Sequence, residues 1–170
     1  MVERVRSAGV EATNGAPAVV GVPTAAVRAA RRLGPQAPSA SVVATLLALG
    51  GVRSGAVVLD LTPGASLVRA AAAAAGRAGV VVAAPPAALA EGVPAAVRAA
   101  SVTNAFATLP GSRVLTALRP MLRAGARVAV TAVGTEALHE ACTVAAYDLV
   151  HLADPVDGVI VAALRARQPS

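Results

Sequence analysis

The chain has 170 residues and a formal net charge of +6, and 56% of its residues are hydrophobic while only 1% are aromatic. This length fits one domain with a substantial core and excludes two ordinary domains. Because the core has to be built from alanine, valine and leucine, the composition favours closely packed helices on a sheet. All basic residues are arginine, which together with the alanine content indicates codon bias more than function.

Charge, cysteine content and hydropathy narrow the classes of partner and compartment. The arginines are spread along the chain, and aromatic side chains for base stacking are lacking, so we do not expect a nucleic-acid partner. The single Cys142 excludes an internal disulfide and fits a reducing compartment. The charged N-terminus does not resemble a signal peptide, and prolines interrupt the longest uncharged window, residues 33–52. We therefore expect a cytoplasmic protein without a membrane span.

The N-terminal part of the chain divides into a tail and two helices. Residues 1–20 contain glycine, proline, asparagine and charge without periodicity, which predicts a flexible tail. Residues 21–170 are expected to form a single α/β domain. Its first predicted helix, Pro23–Leu33, begins with proline and is followed by glycine, and the second, Ser41–Leu49, is closed by two glycines.

Strands and helices then alternate in the order of a parallel sheet. Apolar runs bounded by glycine or proline predict strands at Ala56–Leu61, Val80–Ala84, Ser101–Thr108 and Arg127–Val133. The predicted helices between and after them are Ser66–Ala75, Ala87–Arg98, Ser112–Arg123 and Thr135–Ala145, the last with Thr135 as its cap. This order implies right-handed crossovers.

Two apolar runs close the chain with no helix between them. Asp148–Leu152 and Gly158–Leu164 are separated by the turn sequence ADPVD, which predicts an antiparallel hairpin. The fold class expected from the sequence is therefore a doubly wound, mostly parallel, Rossmann-like α/β sheet with a C-terminal antiparallel hairpin.

Three stretches resemble class I, Rossmann-like methyltransferases that depend on S-adenosylmethionine (SAM), and the resemblance covers residues 39–167. LLALGGVRSGAVVLDLTPGAS is similar to the family's first helix, linker and first strand with its acid-x-Gly-x-Gly-x-Gly turn. LRPMLRAGARVAVTAV and YDLVHLADPVDGVIVAALRAR resemble its fifth strand with the preceding helix and its final reversed hairpin. The resemblance implies SAM as cofactor and methyl transfer as activity.

On this resemblance, the cofactor site lies in the turn after the first strand of the family. Asp60 matches the acid of that strand and Gly64 the middle glycine, whereas Thr62 and Ser66 replace the flanking glycines that let a backbone approach its ligand. Asn104, in TNAFATLPG after the family's fourth strand, completes the candidate cofactor-binding set and could orient a substrate. The sequence assigns no catalytic residue.

The sequence departs from the family at two further places. The second strand ends in VAAPP, without the acid that in the family accepts hydrogen bonds from the ribose hydroxyls. The segment between it and SVTNAF is too short for the usual third strand and its helix, so we expect that strand to be missing. Both departures weigh against SAM binding.

Other cofactor chemistry has less support. His139, Cys142 and His151 lack the spacing of a zinc site, so no metal is expected. A P-loop and the catalytic pair of short-chain dehydrogenases both need lysine, which is absent.

Three functions remain compatible with the sequence. The preferred one is a methyltransferase-fold protein with a degenerate SAM site, a non-catalytic structural or regulatory partner in a homo- or hetero-oligomer. The first alternative is a small, divergent SAM-dependent methyltransferase acting on a small molecule. The second alternative is a cyclase or isomerase that uses the same fold without methylating.

Overall fold

The computed structural model describes residues 18–21, 37–89, 97 and 99–168. The helices are α1 (Ala40–Gly50), α2 (Val68–Ala75), α3 (Ser112–Leu118) and α4 (Thr135–Ala145). The strands are β1 (Ala18–Gly21), β2 (Val57–Leu61), β3 (Val80–Ala83), β4 (Val102–Thr108), β5 (Leu122–Ala132), β6 (Tyr147–Leu152) and β7 (Ile160–Ala166). Short 3-10 turns lie at Pro63–Ala65, Pro86–Leu89 and Arg119–Met121.

The strands form one sheet in the order β1-β3-β2-β4-β5-β7-β6. Strands β1 to β5 pair in parallel, whereas β7 runs antiparallel to both β5 and β6. The doubly wound, mostly parallel sheet with a C-terminal antiparallel hairpin is therefore confirmed. Asp60 of β2 lies beside Ala83 of β3 on one side and Phe106 of β4 on the other.

The edge next to β3 is filled from an unexpected part of the chain. Between β3 and β4 the described residues contain no strand, as the sequence predicts. Strand β1 takes the edge position instead and pairs with β3 in parallel, from Ala18 beside Val80 to Gly21 beside Ala83. The rest of the predicted tail, residues 1–17, and the whole predicted helix Pro23–Leu33 lie outside the described residues.

Two apolar layers sandwich the sheet, because successive side chains of a strand point to opposite faces. On one face, α1 and α2 cover a cluster that includes Val58 and Phe106. On the other face, α3 and α4 cover a cluster that includes Leu59 and Val130. The buried Tyr147 hydroxyl donates a hydrogen bond of 2.9 Å to the Leu115 carbonyl and so ties β6 to α3. The domain therefore keeps its mostly aliphatic core on both sides of the sheet.

Several predicted boundaries were wrong, each for a local reason. Helix α3 ends at Leu118 rather than Arg123, because Pro120 cannot continue a helix, and β5 consequently begins at Leu122. Thr135 is not a cap: Gly134 occupies the cap position of α4 and makes no side-chain hydrogen bond.

One predicted helix is only partly described. Of Ala87–Arg98, the described start belongs to the 3-10 turn Pro86–Leu89, and residues 90–96 and 98 lie outside the described part.

The contact between Gly50 and Phe106 gives a test of the packing under α1. A Cβ atom added at Gly50 would lie 2.4 Å from Cε1 of the buried Phe106 ring. We expect Gly50→Ala to lower the free energy of unfolding by about 1–3 kcal/mol, and by less in a Phe106→Leu background. Gly111→Ala is the control, because its Cβ would meet nothing within 4 Å. Urea unfolding measures all four variants, and equal losses in both backgrounds would contradict the packing argument.

Candidate functional site

The candidate site lies at the carboxyl edge of the sheet, where β2 leads through a short turn into α2. Along the chain β2 is followed by β3 on one side and then by β4 on the other, so the topological switch point lies between β2 and β4. Ligands of doubly wound sheets bind in the crevice outside such a point. Asp60, near the end of β2, is completely buried there.

The carboxylate of Asp60 accepts hydrogen bonds from both ends of the turn. Its Oδ1 accepts from the Thr62 N–H at 2.9 Å and from the Thr62 hydroxyl at 2.6 Å. Its Oδ2 accepts from the Leu67 N–H at 3.0 Å. Because Leu67 is the cap residue of α2 and offers no side-chain bond, Asp60 satisfies a donor at the helix N-terminus, where a negative charge is favourable. Asp60 therefore fixes how β2 passes into α2.

Burial and hydrogen bonding act on Asp60 in opposite directions. Burial in the protein disfavours the charged form and raises the pKa of the carboxyl above its ordinary value of 3.8, while the hydrogen bonds from Thr62, Leu67 and Val68 lower it. Burial is the larger effect, so the pKa stays raised.

The turn is closed by hydrogen bonds among its own residues. The Thr62 hydroxyl, which donates to Asp60, also accepts from the Ser66 N–H at 3.1 Å. The Ser66 hydroxyl donates to the Pro63 carbonyl at 2.6 Å, and the Ala65 N–H donates to the Thr62 carbonyl at 3.1 Å. Two hydroxyls thus occupy the positions at which the family has glycine, and they bind the turn instead of leaving room beside it.

Gly64 keeps the backbone geometry for which glycine is needed. Its φ of 68° lies in the left-handed region, and the next residue, Ala65, has a φ of 54°. A side chain at Gly64 would be strained in this conformation. The glycine thus preserves the shape of the turn, although the hydrogen-bonding groups around it have changed.

The end of β3 offers no acid to a bound nucleoside. Ala83 lies beside Asp60, and the Ala84 N–H donates to the Asp60 carbonyl at 3.0 Å. Ala84 is buried in the apolar cluster and Pro85 is half-buried, so the described residues at this strand end present no carboxylate. The donors and acceptors of the described residues at this strand end do not fit the ribose of SAM.

Four of the five residues predicted for the site lie together, and the fifth does not. In the sheet Asn104 lies beside Val58, whereas the residue beside Asp60 is Phe106, two positions further along β4. Its Nδ2 donates to the Gly50 carbonyl at 2.7 Å, and its Oδ1 accepts from the Thr103 hydroxyl at 2.7 Å. Both ends of the amide are therefore engaged, and the Nδ2 bond holds the last carbonyl of α1 against β4.

A polar side chain that the sequence analysis did not single out lies at the same edge. Thr108 ends β4, and its Oγ1 is buried without a hydrogen-bond partner among the described residues. Thr131, its neighbour on β5, uses its hydroxyl to accept from the Leu109 N–H at 3.1 Å. Leu109 and Val133, which follow these two strands, are 42% and 75% exposed. The only signal for Thr108 in the sequence is a hydroxyl at the end of an apolar run.

The described part of the chain contains neither a candidate metal site nor a candidate membrane-spanning helix. No three histidine, cysteine or acidic side chains come close enough there to hold a metal ion. None of the helices within those residues has the length and hydropathy required to cross a membrane.

Comparison with known proteins identifies solved structures that have a similar fold. No protein-family model matches the chain, and no curated protein matches it. Among solved structures it is similar to a SAM-dependent methyltransferase from Aquifex aeolicus, with 11% identity, a TM-score of 0.61, and coverage of 81% of this chain and 97% of that one. It is also similar to a SAM-dependent O-methyltransferase from Thermotoga maritima, with 14% identity, a TM-score of 0.56, and coverage of 80% and 69%.

A third similar structure contains a bound product of the cofactor. It is the 1,6-didemethyltoxoflavin-N1-methyltransferase of Burkholderia thailandensis, with bound 1,6-didemethyltoxoflavin and S-adenosylhomocysteine. The identity is 20%, the TM-score is 0.50, and the alignment covers 76% of this chain and 78% of that one. Together these similarities show that the chain has the class I, Rossmann-like methyltransferase fold, as the sequence resemblance predicts.

Removing the Thr62 hydroxyl tests whether the turn depends on it. Thr62→Ala deprives the Ser66 N–H of its acceptor and Asp60 of one donor, so we expect a loss of about 1–3 kcal/mol in the free energy of unfolding. The exposed Thr135→Ala is the matched control and should change stability by at most about 0.5 kcal/mol. Hydrogen exchange should also show faster exchange of the Ser66 amide; unchanged exchange and stability would contradict the bridging role.

The raised pKa of Asp60 predicts how stability depends on pH. Between pH 3.8 and its raised pKa, the folded protein retains a proton that the unfolded chain has released. The stabilisation from Asp60 is therefore fully present below pH 3.8 and is lost as the pH rises through the folded pKa. Asp60→Asn removes this titration, so the stability of the parent protein relative to the variant should decrease from acidic to neutral pH. Urea unfolding across this range measures the difference, and a constant difference would contradict the prediction.

Proposed function

We propose that this chain is a methyltransferase-fold protein with a degenerate SAM site, which serves as a non-catalytic structural or regulatory partner in a homo- or hetero-oligomer. The observation that carries the proposal is the Thr62 hydroxyl, which bridges Asp60 and the Ser66 N–H. The polar groups of the turn that would hold a cofactor therefore hydrogen-bond to one another.

Opening this turn for a ligand has a cost. A ligand that displaced the Thr62 hydroxyl would leave the Ser66 N–H and the buried Asp60 carboxylate short of a partner, unless it replaced both bonds. An unpaired buried polar group costs about 1–3 kcal/mol, and more when it is charged. Together with the missing acid at the end of β3, this cost weighs against ordinary SAM binding.

Exposed aliphatic side chains support a role that involves a partner. Five large apolar side chains of the described residues are exposed, namely Leu109, Val133, Val144, Val150 and Leu152. Two of them border the candidate site, and two lie on β6, the edge strand of the sheet. The two on the edge strand β6 and the two beside the candidate site would give a partner chain apolar surface to cover.

The second candidate function is a small SAM-dependent methyltransferase that acts on a small molecule. The buried Thr108 hydroxyl favours it, because an unpartnered polar atom at the switch-point edge is free to bind a polar ligand atom. Leu109 and Val133 would give such a ligand apolar surface at the same edge. The similar solved structures are SAM-dependent methyltransferases, which also supports this alternative.

Calorimetry with SAM and S-adenosylhomocysteine separates the two candidates, once light scattering has fixed the oligomeric state. We expect no detectable heat of binding and a particle larger than one chain. Micromolar or tighter binding that Thr108→Val weakens would instead establish the methyltransferase alternative, because valine keeps the shape of threonine and removes its hydroxyl.

A gain-of-binding variant tests the structural reason for the loss. Thr62→Gly and Ser66→Gly open the turn, and Pro85→Asp adds a carboxylate two residues beyond Ala83, which lies beside Asp60. This triple variant should bind S-adenosylhomocysteine measurably. The control replaces Pro85→Asp by Pro86→Asp, which places the carboxylate one residue further from the strand end, on the exposed first residue of the 3-10 turn, and should not bind. Failure of a folded triple variant to bind would show that the turn and the acid are not what prevents binding.

A further inference from the structure

Arginines that are scattered in the sequence meet at the amino edge of the sheet, opposite the candidate site. The loops before β2 and β3, the turn before β5 with the first six residues of that strand, and the end of the antiparallel β7 lie at this edge. We call the set the arginine rim; it consists of Arg53, Arg77, Arg119, Arg123, Arg127, Arg165 and Arg167. All are exposed except Arg119, which is half-buried.

Hydrogen bonds join neighbouring parts of the rim. The Gly55 N–H donates to the Ala75 carbonyl, which joins the loop of Arg53 to the loop of Arg77. The Arg119 guanidinium donates to the Arg167 carbonyl at 2.8 Å. From β3 to β7 the rim crosses five neighbouring strands, which lie ~4.8 Å apart, so it extends over about 19 Å.

The rim carries almost no compensating negative charge. Asp148 is the one acid of the described residues at this edge, and it pairs with Arg167 at 2.7 Å. The remaining rim arginines form no ion pair with any carboxylate that the structure describes. The exposed acids of the hairpin turn, Asp154 and Asp157, lie at the opposite edge. The domain is therefore polarised, with a positive amino edge.

We propose that the arginine rim binds the sugar–phosphate backbone of a single-stranded nucleic acid. Guanidinium groups bind phosphates through paired N–H donors, and a row of exposed arginines matches a row of phosphates. The described rim contains no aromatic side chain, so the contacts go to the backbone and carry no sequence preference.

Two other anionic partners fit the rim less well. An acidic protein surface would be expected to meet apolar anchors among the charges, and a lipid surface would be expected to take inserted apolar side chains. Of the five exposed large aliphatic side chains of the described residues, only Val144, at the end of α4, lies at the amino edge of the sheet. The sequence-based expectation of no nucleic-acid partner rested on the spacing of the arginines along the chain and on the lack of aromatic side chains for base stacking. The fold gathers the arginines at one edge, and contacts to the sugar–phosphate backbone do not need base stacking. The inference concerns the amino edge and does not rest on the proposed function.

Fluorescence anisotropy of the full chain with a labelled oligouridylate RNA of about 16 nucleotides tests the proposal. The affinity for the RNA should fall as the salt concentration rises from about 50 to about 200 mM. In Arg77→Gln with Arg123→Gln, two phosphate contacts are lost, and the slope of log affinity against log salt should become shallower by about 1.4. Arg69→Gln with Arg113→Gln is the matched control, since it removes the same charge from exposed positions in α2 and α3 and should leave the slope unchanged.

Each other result overturns the proposal. It fails if the RNA does not bind at the lowest salt, if both double variants change the slope equally, or if polyglutamate or phosphatidylserine vesicles bind more tightly than RNA. Should the first rim variant not fold, as judged by circular dichroism, Arg53→Gln with Arg165→Gln removes the same charge from the rim and should give the same change in slope.

Discussion

The structure depends on how Asp60 is buried. Its carboxylate lies at the end of β2 without solvent contact, and three donors from the following turn and from the cap residue of α2 hold it there. Burial of a carboxyl is unfavourable unless its acceptors are used, and here both oxygens are used. The same bonds set the path from strand to helix, so that α2 packs over Val58 and closes one apolar layer of the sheet. A local polar interaction thus fixes a crossover on which the whole aliphatic core is built.

Under the proposed function, this interaction also explains how the fold can be kept without the cofactor. In a cofactor site, the polar groups after the first strand are left for the ligand, and glycines keep the space beside them open. Here Thr62 turns the same position into an internal bridge, which stabilises the turn without a ligand. Gly64 retains its left-handed backbone because the turn still needs that conformation. The shape of a cofactor turn can therefore persist on stability alone, and a shared fold is not evidence of a shared reaction.

The sequence predicted the elements whose signals are local. Apolar runs bounded by glycine and proline located β2, β3, β4 and the hairpin, and the contiguous residues 60–66 came together because they form one turn. Strand β1 was missed, because its pairing with β3 joins segments about sixty residues apart and leaves no mark in the short AVVG run. Asn104 was placed in the candidate site because its tertiary partners, Gly50 above all, cannot be read from its neighbours. The burial of Thr108 likewise depends on strands that meet only in the folded sheet.

The fold also brings arginines that are dispersed in the sequence together on one surface. A βα unit brings the chain back to the same edge of the sheet after each strand and helix, and Arg53 and Arg77, which are 24 residues apart, occupy equivalent loops of successive units. Arg123 and Arg127 lie in β5, the last strand that pairs in parallel, and the antiparallel β7 returns to the same edge with its own arginines. In a doubly wound fold, arginines that are far apart in the sequence can therefore lie together at one edge of the sheet. Since the amino edge contributes nothing to the turn around Asp60, its charge can be selected independently of whether the carboxyl edge binds a cofactor.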